Sequence, residues 1–201
     1  MTVARLVIAL LCLLLLSCSS GPRLAPLAPE ATVLAFGDSL TFGTGAGPGE
    51  SYPAVLETLI SRRVVNAGIP GEESGGGRER LAGVLEEQKP ALMILCLGGN
   101  DFLRGKDEAT VAANLRAMVQ TARERGVAVV LIAVPRLGFG LEVPKLYAEL
   151  AAGSGLPLEG KALKRILGTR RLKSDPLHPN AAGYRILAEA VAKLLTKSGA
   201  I

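Results

Sequence analysis

The sequence predicts a three-layer α/β domain in which helices cover both faces of a central parallel sheet of about five strands. Short apolar stretches alternate along the chain with segments whose apolar residues recur at helical spacing. Most of these stretches are apolar throughout, which is typical of strands buried on both faces. Strands that alternate with helices form parallel sheets with right-handed crossovers. The chain has 201 residues, a length that favours one such domain over two.

The elements before residue 90 follow this alternation. Residues 32–36 form a short apolar run and predict the first strand. Residues 52–62 carry apolar side chains at helical spacing, and residues 64–66 predict a short second strand. Residues 73–88 predict a helix, because leucine and valine side chains there share one face.

The second half of the chain continues the pattern. Residues 92–97 and 127–134 are apolar runs that predict the third and fourth strands, and residues 107–125 between them predict a long helix. The last helix is expected over residues 180–197. Ligands of such sheets bind beyond the carboxyl ends of the strands. We therefore expect chemically active residues directly after a strand.

The pattern is weaker between the fourth strand and the last helix. We expect a helix near residues 143–152, a short strand at residues 156–158 and a basic helix from Lys161 onward. Residues 155–162 resemble a phosphate-binding loop, but Ala162 stands where that motif needs Ser or Thr. We expect no nucleotide site there.

The first residues resemble an export signal. Residues 1–17 contain Arg5 and a continuous apolar run over residues 6–16, which is too short for a comfortable membrane span. Cys18 ends this region and resembles the lipidated cysteine of bacterial lipoproteins. An ordinary secretory signal is the alternative.

Residues 18–30 contain three prolines and no regular period, so we expect a tether between the lipidated Cys18 and a folded domain over residues 31–201. Ser19 follows the cysteine, and a serine at this position resembles the signal of lipoproteins that are sorted to the outer membrane. We expect an exported protein on the periplasmic side that is anchored to a membrane by lipid. The sequence does not indicate an oligomeric state.

Composition argues against several classes of function. The net charge is +5, aromatic residues make up 3% of the chain and Trp is absent. Only Arg170, Arg171 and Lys173 form a basic cluster without interleaved acids, so we expect no nucleic-acid binding. Cys96 lies in an apolar run and is expected to be an inert core thiol. The chain has no His/Cys cluster, so we expect no metal and no cofactor.

Ser39 and His178 are the candidates for nucleophile and base. Ser39 follows the first predicted strand directly, and a serine hydroxyl attacks well only when a base removes its proton. His178 is the one histidine of the chain, and Asp175 precedes it by three residues. In a loop, this spacing lets the carboxylate accept from one ring nitrogen while the other faces the nucleophile. No G-x-S-x-G motif occurs, which argues against the α/β-hydrolase arrangement.

Four segments, in order along the chain, resemble the conserved blocks of the GDSL or SGNH hydrolase family. They are Gly-Asp-Ser-Leu at residues 37–40, residues 66–72, Gly-Gly-Asn-Asp at residues 98–101 and Asp-x-x-His at residues 175–178. The resemblance implies a flavodoxin-like α/β/α fold and a metal-free serine esterase. It also implies Ser39, Asp175 and His178 as catalytic residues.

The resemblance further implies an oxyanion hole built from the Ser39 N–H, the Gly71 N–H and the Asn100 amide. Gly68 is the competing choice for the glycine. Pro70 and Glu72 stand where the family commonly has Ser and Asp.

The branch most similar to this chain comprises bacterial arylesterases, acyl-CoA thioesterases and lysophospholipases. We therefore expect a small acyl ester or lipid as substrate. A carbohydrate O-acetylesterase acting on cell-wall glycans and a surface lipoprotein without catalytic activity are the alternatives.

Overall fold

The structure, a computed structural model, describes residues 21–136 and 140–201. Its centre is one sheet of five parallel strands in the order β2-β1-β3-β4-β5, which confirms the predicted fold class. The strands are β1 (Val33–Gly37), β2 (Val64–Gly68), β3 (Leu92–Cys96), β4 (Ala128–Ile132) and β5 (Leu158–Glu159). The first, third and fourth strands are almost entirely buried, as their apolar sequences predict.

Eight α-helices lie in the described residues. They are α1 (Ser39–Phe42), α2 (Tyr52–Ile60), α3 (Ser74–Gln88), α4 (Gly99–Leu103), α5 (Glu108–Glu124), α6 (Lys145–Ser154), α7 (Ala162–Leu167) and α8 (Ala181–Ser198). A 3₁₀ turn (Arg170–Leu172) precedes α8. Helix α2 packs against α8, and α3 packs against α5. Because the strand order reverses after β2, right-handed crossovers place these two pairs on opposite faces of the sheet.

The first three strands end level with one another. Gly37 at the end of β1 pairs with Gly68 of β2 on one side and with Cys96 of β3 on the other. Two helices that periodicity did not predict, α1 and α4, begin within three residues of the ends of β1 and β3. They are four and five residues long, too short to show a helical repeat in the sequence.

The packed part of the chain begins before Ala31, where the sequence predicted its start. The N–H of Leu24 donates to Ser198 O at 2.8 Å, and the N–H of Leu27 donates to Ala200 O at 2.8 Å. Leu27 is buried in the core. Apolar side chains between the prolines thus fix this segment against the end of α8.

The predicted signal peptide and Cys18 lie outside the described residues. Among the helices that the structure describes, none is both long and apolar enough to cross a membrane.

The turn after β3 depends on Gly98. Its φ is +118°, a backbone conformation that residues with a Cβ rarely adopt. A Cβ on Gly98 would also lie 2.5 Å from the Tyr147 hydroxyl. That hydroxyl is buried and donates to Leu97 O at 2.8 Å, so it cannot move away without losing its hydrogen bond.

Gly98→Ala is therefore expected to lower the free energy of unfolding by about 2–4 kcal/mol, through backbone strain and the displaced tyrosine. Gly83→Ala is the control, because Gly83 lies within α3 with nothing near its Cβ position. The control should gain about 0.5–1 kcal/mol. Urea unfolding measures both changes, and equal effects would contradict this account of the turn.

Candidate active site

Ser39 lies at the carboxyl edge of the sheet as the first residue of α1. The Asp38 carboxyl group caps this helix by accepting a hydrogen bond from the Leu40 N–H at 2.9 Å. Gly37 makes the sharp turn possible, because a Cβ there would lie 2.2 Å from Cys96 O. The turn leaves the Ser39 side chain half-buried in the wall of a cleft.

His178 and Asp175 complete a chain of hydrogen bonds that begins at Ser39. The Ser39 Oγ lies 3.0 Å from His178 Nε2, and His178 Nδ1 lies 2.8 Å from Asp175 Oδ2. The other carboxylate oxygen, Oδ1, accepts from the N–H of Leu177 at 2.7 Å and from the N–H of His178 at 2.9 Å. The structure thus brings together the three residues that the sequence singled out as nucleophile, base and orienting acid.

These contacts fix the charge of Asp175 and the tautomer of the ring. Burial alone would raise the pKa of Asp175. The hydrogen bonds from the His178 side chain and from the N–H groups of Leu177 and His178 nevertheless lower that pKa below its ordinary value. An ionised Asp175 places the ring proton on Nδ1 of His178. Nε2 is then free to accept the proton of the Ser39 hydroxyl.

The loop that carries the acid and the base is closed at its ends. Lys173 and Pro179 form an antiparallel bridge across it. Ser174 N donates to His178 O at 3.1 Å inside this bridge. These backbone contacts within the loop help to hold the histidine in place.

Asn100 lies in α4, shortly after β3, and its side-chain amide points toward the turn after β1 that carries Asp38 and Ser39. Its Nδ2 donates to Glu72 O at 3.0 Å and to Asp38 Oδ2 at 3.3 Å. The amide therefore links the loops that follow β1, β2 and β3.

Gly71 fits the oxyanion site better than Gly68 does. Gly71 lines the cleft together with Ser39, and its φ of +81° turns the backbone there. Among the described residues, no acceptor is bonded to the Gly71 N–H or the Ser39 N–H. Gly68 is the last residue of β2, and its N–H already donates to Asn66 Oδ1 at 3.0 Å. A Cβ on Gly68 would lie 2.2 Å from Phe42 N, so this glycine serves packing.

The cleft has a volume of about 240 Å³. Its polar part consists of the catalytic candidates and their neighbours. The wall beside them is apolar and is formed by Pro70, Leu103, Val134, Pro135, Leu167 and Leu177. Such a wall suits an acyl chain better than a sugar ring.

Glu72, which departs from the family pattern, forms an ion pair with Arg80. The guanidinium donates to both carboxylate oxygens at 2.6 Å and to Ala67 O at 2.8 Å. It also lies 3.9 Å from the centre of the Phe36 ring. The Glu72 side chain is 8% exposed. The ion pair therefore fixes the loop between β2 and α3. In this loop the backbone carbonyl of Glu72 accepts a hydrogen bond from the Asn100 amide.

A second buried network fixes α4. The Asp101 carboxylate accepts from the N–H of Ser74 at 2.8 Å and from its hydroxyl at 2.6 Å. Asn114 in α5 donates to the same hydroxyl at 3.0 Å. The sequence does not show that Asp101, Ser74 and Asn114 support the site, because the bonded partners lie 27 and 40 residues apart along the chain.

The sequence also did not reveal the environment of Asp38. It is 1% exposed. Burial raises the pKa of Asp38 to about 7; the Leu40 N–H opposes this shift, and the nearby charges of Glu72 and Asp101 add to it.

Two features that resembled other sites have structural explanations. Cys96 is fully buried, and burial raises the pKa of its thiol well above the ordinary value. The loop at residues 155–162 supplies its own anion, because Glu159 Oε1 accepts from the N–H groups of Lys161 and Ala162 at 2.8 and 2.7 Å. A phosphate would have to displace this carboxylate.

Comparison with known proteins gives a consistent result. Residues 35–186 match the model of the GDSL-like Lipase/Acylhydrolase family. The chain is 34% identical over 190 residues to "Esterase TesA" of Pseudomonas aeruginosa, covering 89% of this chain and 94% of that protein. It is 30% identical over 173 residues to "Thioesterase 1/protease 1/lysophospholipase L1" of Escherichia coli K12, covering 82% and 83% of the two chains.

Solved structures show the same likeness. The crystal structure of TesA superposes with a TM-score of 0.73 at 32% identity, covering 82% of this chain and 97% of that chain. AlinE4, described as an SGNH-hydrolase family esterase, superposes with a TM-score of 0.66 at 31% identity and covers 86% and 98%.

The geometry at Asp175 predicts the effect of Asp175→Asn. Because Oδ1 accepts two N–H groups, the asparagine oxygen should stay there and its NH₂ should face His178 Nδ1. The ring would then carry its proton on Nε2 and could not accept from Ser39. We expect kcat to fall by about 10³- to 10⁴-fold without loss of fold.

Hydrolysis of a nitrophenyl ester and circular dichroism measure these two outcomes. Asp107→Asn is the matched control, because Asp107 caps α5 on the surface through its bond to the Thr110 N–H. Its kcat should equal that of wild type. An Asp175→Asn enzyme within tenfold of wild type would show that the carboxylate does not set the tautomer.

Proposed function

Because the chain belongs to the GDSL-like lipase/acylhydrolase family and is a serine hydrolase of carboxylic esters or thioesters, we propose how its own residues divide the reaction. Ser39 is the nucleophile, His178 the general base and Asp175 the group that orients the ring. The Ser39 N–H, the Gly71 N–H and the Asn100 amide form the oxyanion hole. The observation that carries this proposal is the unbroken path from Ser39 Oγ through His178 to Asp175, with distances of 3.0 and 2.8 Å.

The reaction begins when His178 Nε2 takes the proton of the Ser39 hydroxyl as Oγ attacks the acyl carbon. The carbonyl oxygen becomes an oxyanion, which the three donors stabilise. The bond to the leaving oxygen or sulfur then breaks, and His178 returns its proton to that atom. Water, activated by the same histidine, attacks the acyl-enzyme and releases the carboxylic acid and free Ser39.

The substrate proposed for this site is an acyl ester of moderate chain length, such as an aryl ester or a lysophospholipid. The apolar wall from Pro70 to Leu177 supports this choice, because it would bury the hydrocarbon of the acyl group. The names of the curated relatives, among them "Arylesterase" of Vibrio mimicus, support it as well.

A series of nitrophenyl esters from acetate to octanoate tests this function. We expect kcat/KM to rise as the chain lengthens beyond acetate, because each added methylene would contact the apolar wall. Ser39→Ala should lose about 10³-fold or more in kcat while its thermal unfolding is unchanged. A preference for acetate together with fast release of acetate from acetylated glycans would instead indicate an O-acetylesterase. Turnover that survives Ser39→Ala would refute the nucleophile.

We also propose that the chain is exported and held by lipid on Cys18, on the periplasmic side of the outer membrane. The sequence of residues 1–18 supports this proposal. Only residues 19–23 separate Cys18 from Leu24, whose N–H is bonded to the end of α8. The six steps from Cys18 to Leu24 reach at most about 22 Å, so the anchor would hold the domain close to the membrane.

Cys18→Ser should release the protein from the membrane fraction or stop its processing, since it removes the acylated thiol. Cys12→Ser is the matched control, because Cys12 lies inside the apolar run. Fractionation and the mass of the mature amino terminus give the readout. A wild-type protein in the soluble fraction, with an amino terminus other than Cys18, would favour an ordinary secretory signal.

A further inference from the structure

The side-chain NH₂ group of Asn100 already has two hydrogen-bond acceptors. An asparagine NH₂ group carries two hydrogens. In this structure one is donated to Glu72 O at 3.0 Å and the other to Asp38 Oδ2 at 3.3 Å. An oxyanion can therefore bind Asn100 only if it replaces one of these acceptors. The bond to Asp38 is the longer of the two, and Asp38 lines the cleft whereas Glu72 is not part of the lining, so the bond to Asp38 is the one that a substrate oxygen can reach.

Asp38 is built into the fold so that its two oxygens have separate partners. Oδ1 accepts the Leu40 N–H and caps α1. Oδ2 faces Asn100 across the turn that holds Gly99, whose Cβ position lies 3.6 Å away. Asp38, Ser39 and Asn100 line the same cleft, so Oδ2 lies beside the place that a substrate oxygen would take.

We propose that Asp38 is a positioning residue of the oxyanion hole. Its Oδ2 holds the second amide hydrogen of Asn100 toward the cleft until the substrate oxygen takes its place. The bond to Glu72 O is kept throughout, so the amide exchanges one acceptor without rotating. This inference rests on the role proposed above for Asn100.

The physical advantage is preorganisation. A donor that is already oriented costs little rearrangement when negative charge develops on the substrate oxygen. A free asparagine side chain would instead populate several rotamers and hydrogen-bond to water. The fold keeps a fully buried carboxyl group at this position despite the desolvation that raises its pKa to about 7, and such costs are typical of functional sites.

Asp38→Asn separates the two oxygens. The asparagine oxygen can still cap α1 through the Leu40 N–H, but its NH₂ then faces the Asn100 amide and cannot accept from it. We expect kcat to fall about tenfold while KM changes less than about twofold, because the lost interaction orients a group that acts in the transition state. Asp38→Ser is the second variant. Serine also caps helices but is too short to reach Asn100, so its kcat should fall similarly.

Combination with Asn100→Ala tests whether Asp38 acts through Asn100. In the Asn100→Ala background, Asp38→Asn should change kcat by less than about twofold, since the group that it positions is gone. The same tenfold loss in both backgrounds would overturn the positioning role and leave the proposed function intact. If Asn100→Ala alone left kcat unchanged, the oxyanion assignment and this inference would fall together. Wild-type kcat in Asp38→Asn or Asp38→Ser would overturn the positioning role alone.

Stability gives a readout that distinguishes positioning from loss of structure. Because burial raises the pKa of Asp38 from 3.8 to about 7, the folded state binds this proton more tightly than the unfolded state does. The carboxyl group therefore lowers stability as pH rises from about 4 to 7. Asp38→Asn removes this dependence, so at pH 8 the variant should be at least as stable as wild type, with a smaller difference at pH 4. A variant that loses activity and stability together at pH 8 would indicate a structural role and overturn the inference.

Discussion

The level ending of β1, β2 and β3 is the constraint on which the site depends. The register pairs Gly37 with Gly68 and with Cys96, so three chain segments leave the sheet at one height. The atoms around Gly37 leave no room for a side chain at this position, because the chain turns directly from β1 into α1. A slip of one residue in β3 would turn its side chains to the other face and carry the Asn100 loop out of reach of Ser39.

Three buried carboxyl groups then fix the loops that leave this edge. Asp38 caps the helix of Ser39, Glu72 pairs with Arg80 across the β2 loop, and Asp101 holds the β3 loop to Ser74. Each makes at least two hydrogen bonds within the described residues. Buried acids of this kind add little net stability, but fully bonded networks restrict a site to one geometry. The loops around the cleft are thus held in place by polar contacts in addition to the apolar core.

The sequence predicted the fold and singled out the candidates for nucleophile, base and acid because both depend on local signals. An apolar run is visible in β3, and one histidine three residues after an aspartate can be found by inspection. The partners of Glu72 and Asp101 could not be predicted, because a charged residue in a loop or a short helix looks the same in the sequence whether its side chain faces water or a buried partner. Helices α1 and α4 are too short for periodicity. Leu24 and Leu27 lie among prolines, and only the tertiary structure shows what they pack against.

The pairing of Leu24 with Ser198 and of Leu27 with Ala200 has a practical consequence for handling the protein. Helix α8 begins beside the loop that carries Asp175 and His178 and runs for 18 residues, or about 27 Å, before it reaches these two hydrogen bonds. Both ends of the described fold therefore meet at the pole opposite the cleft. A fusion partner, an affinity tag or a solid support joined at either end would leave substrate entry unobstructed. A circular permutant that links the two ends would need only a short connecting peptide.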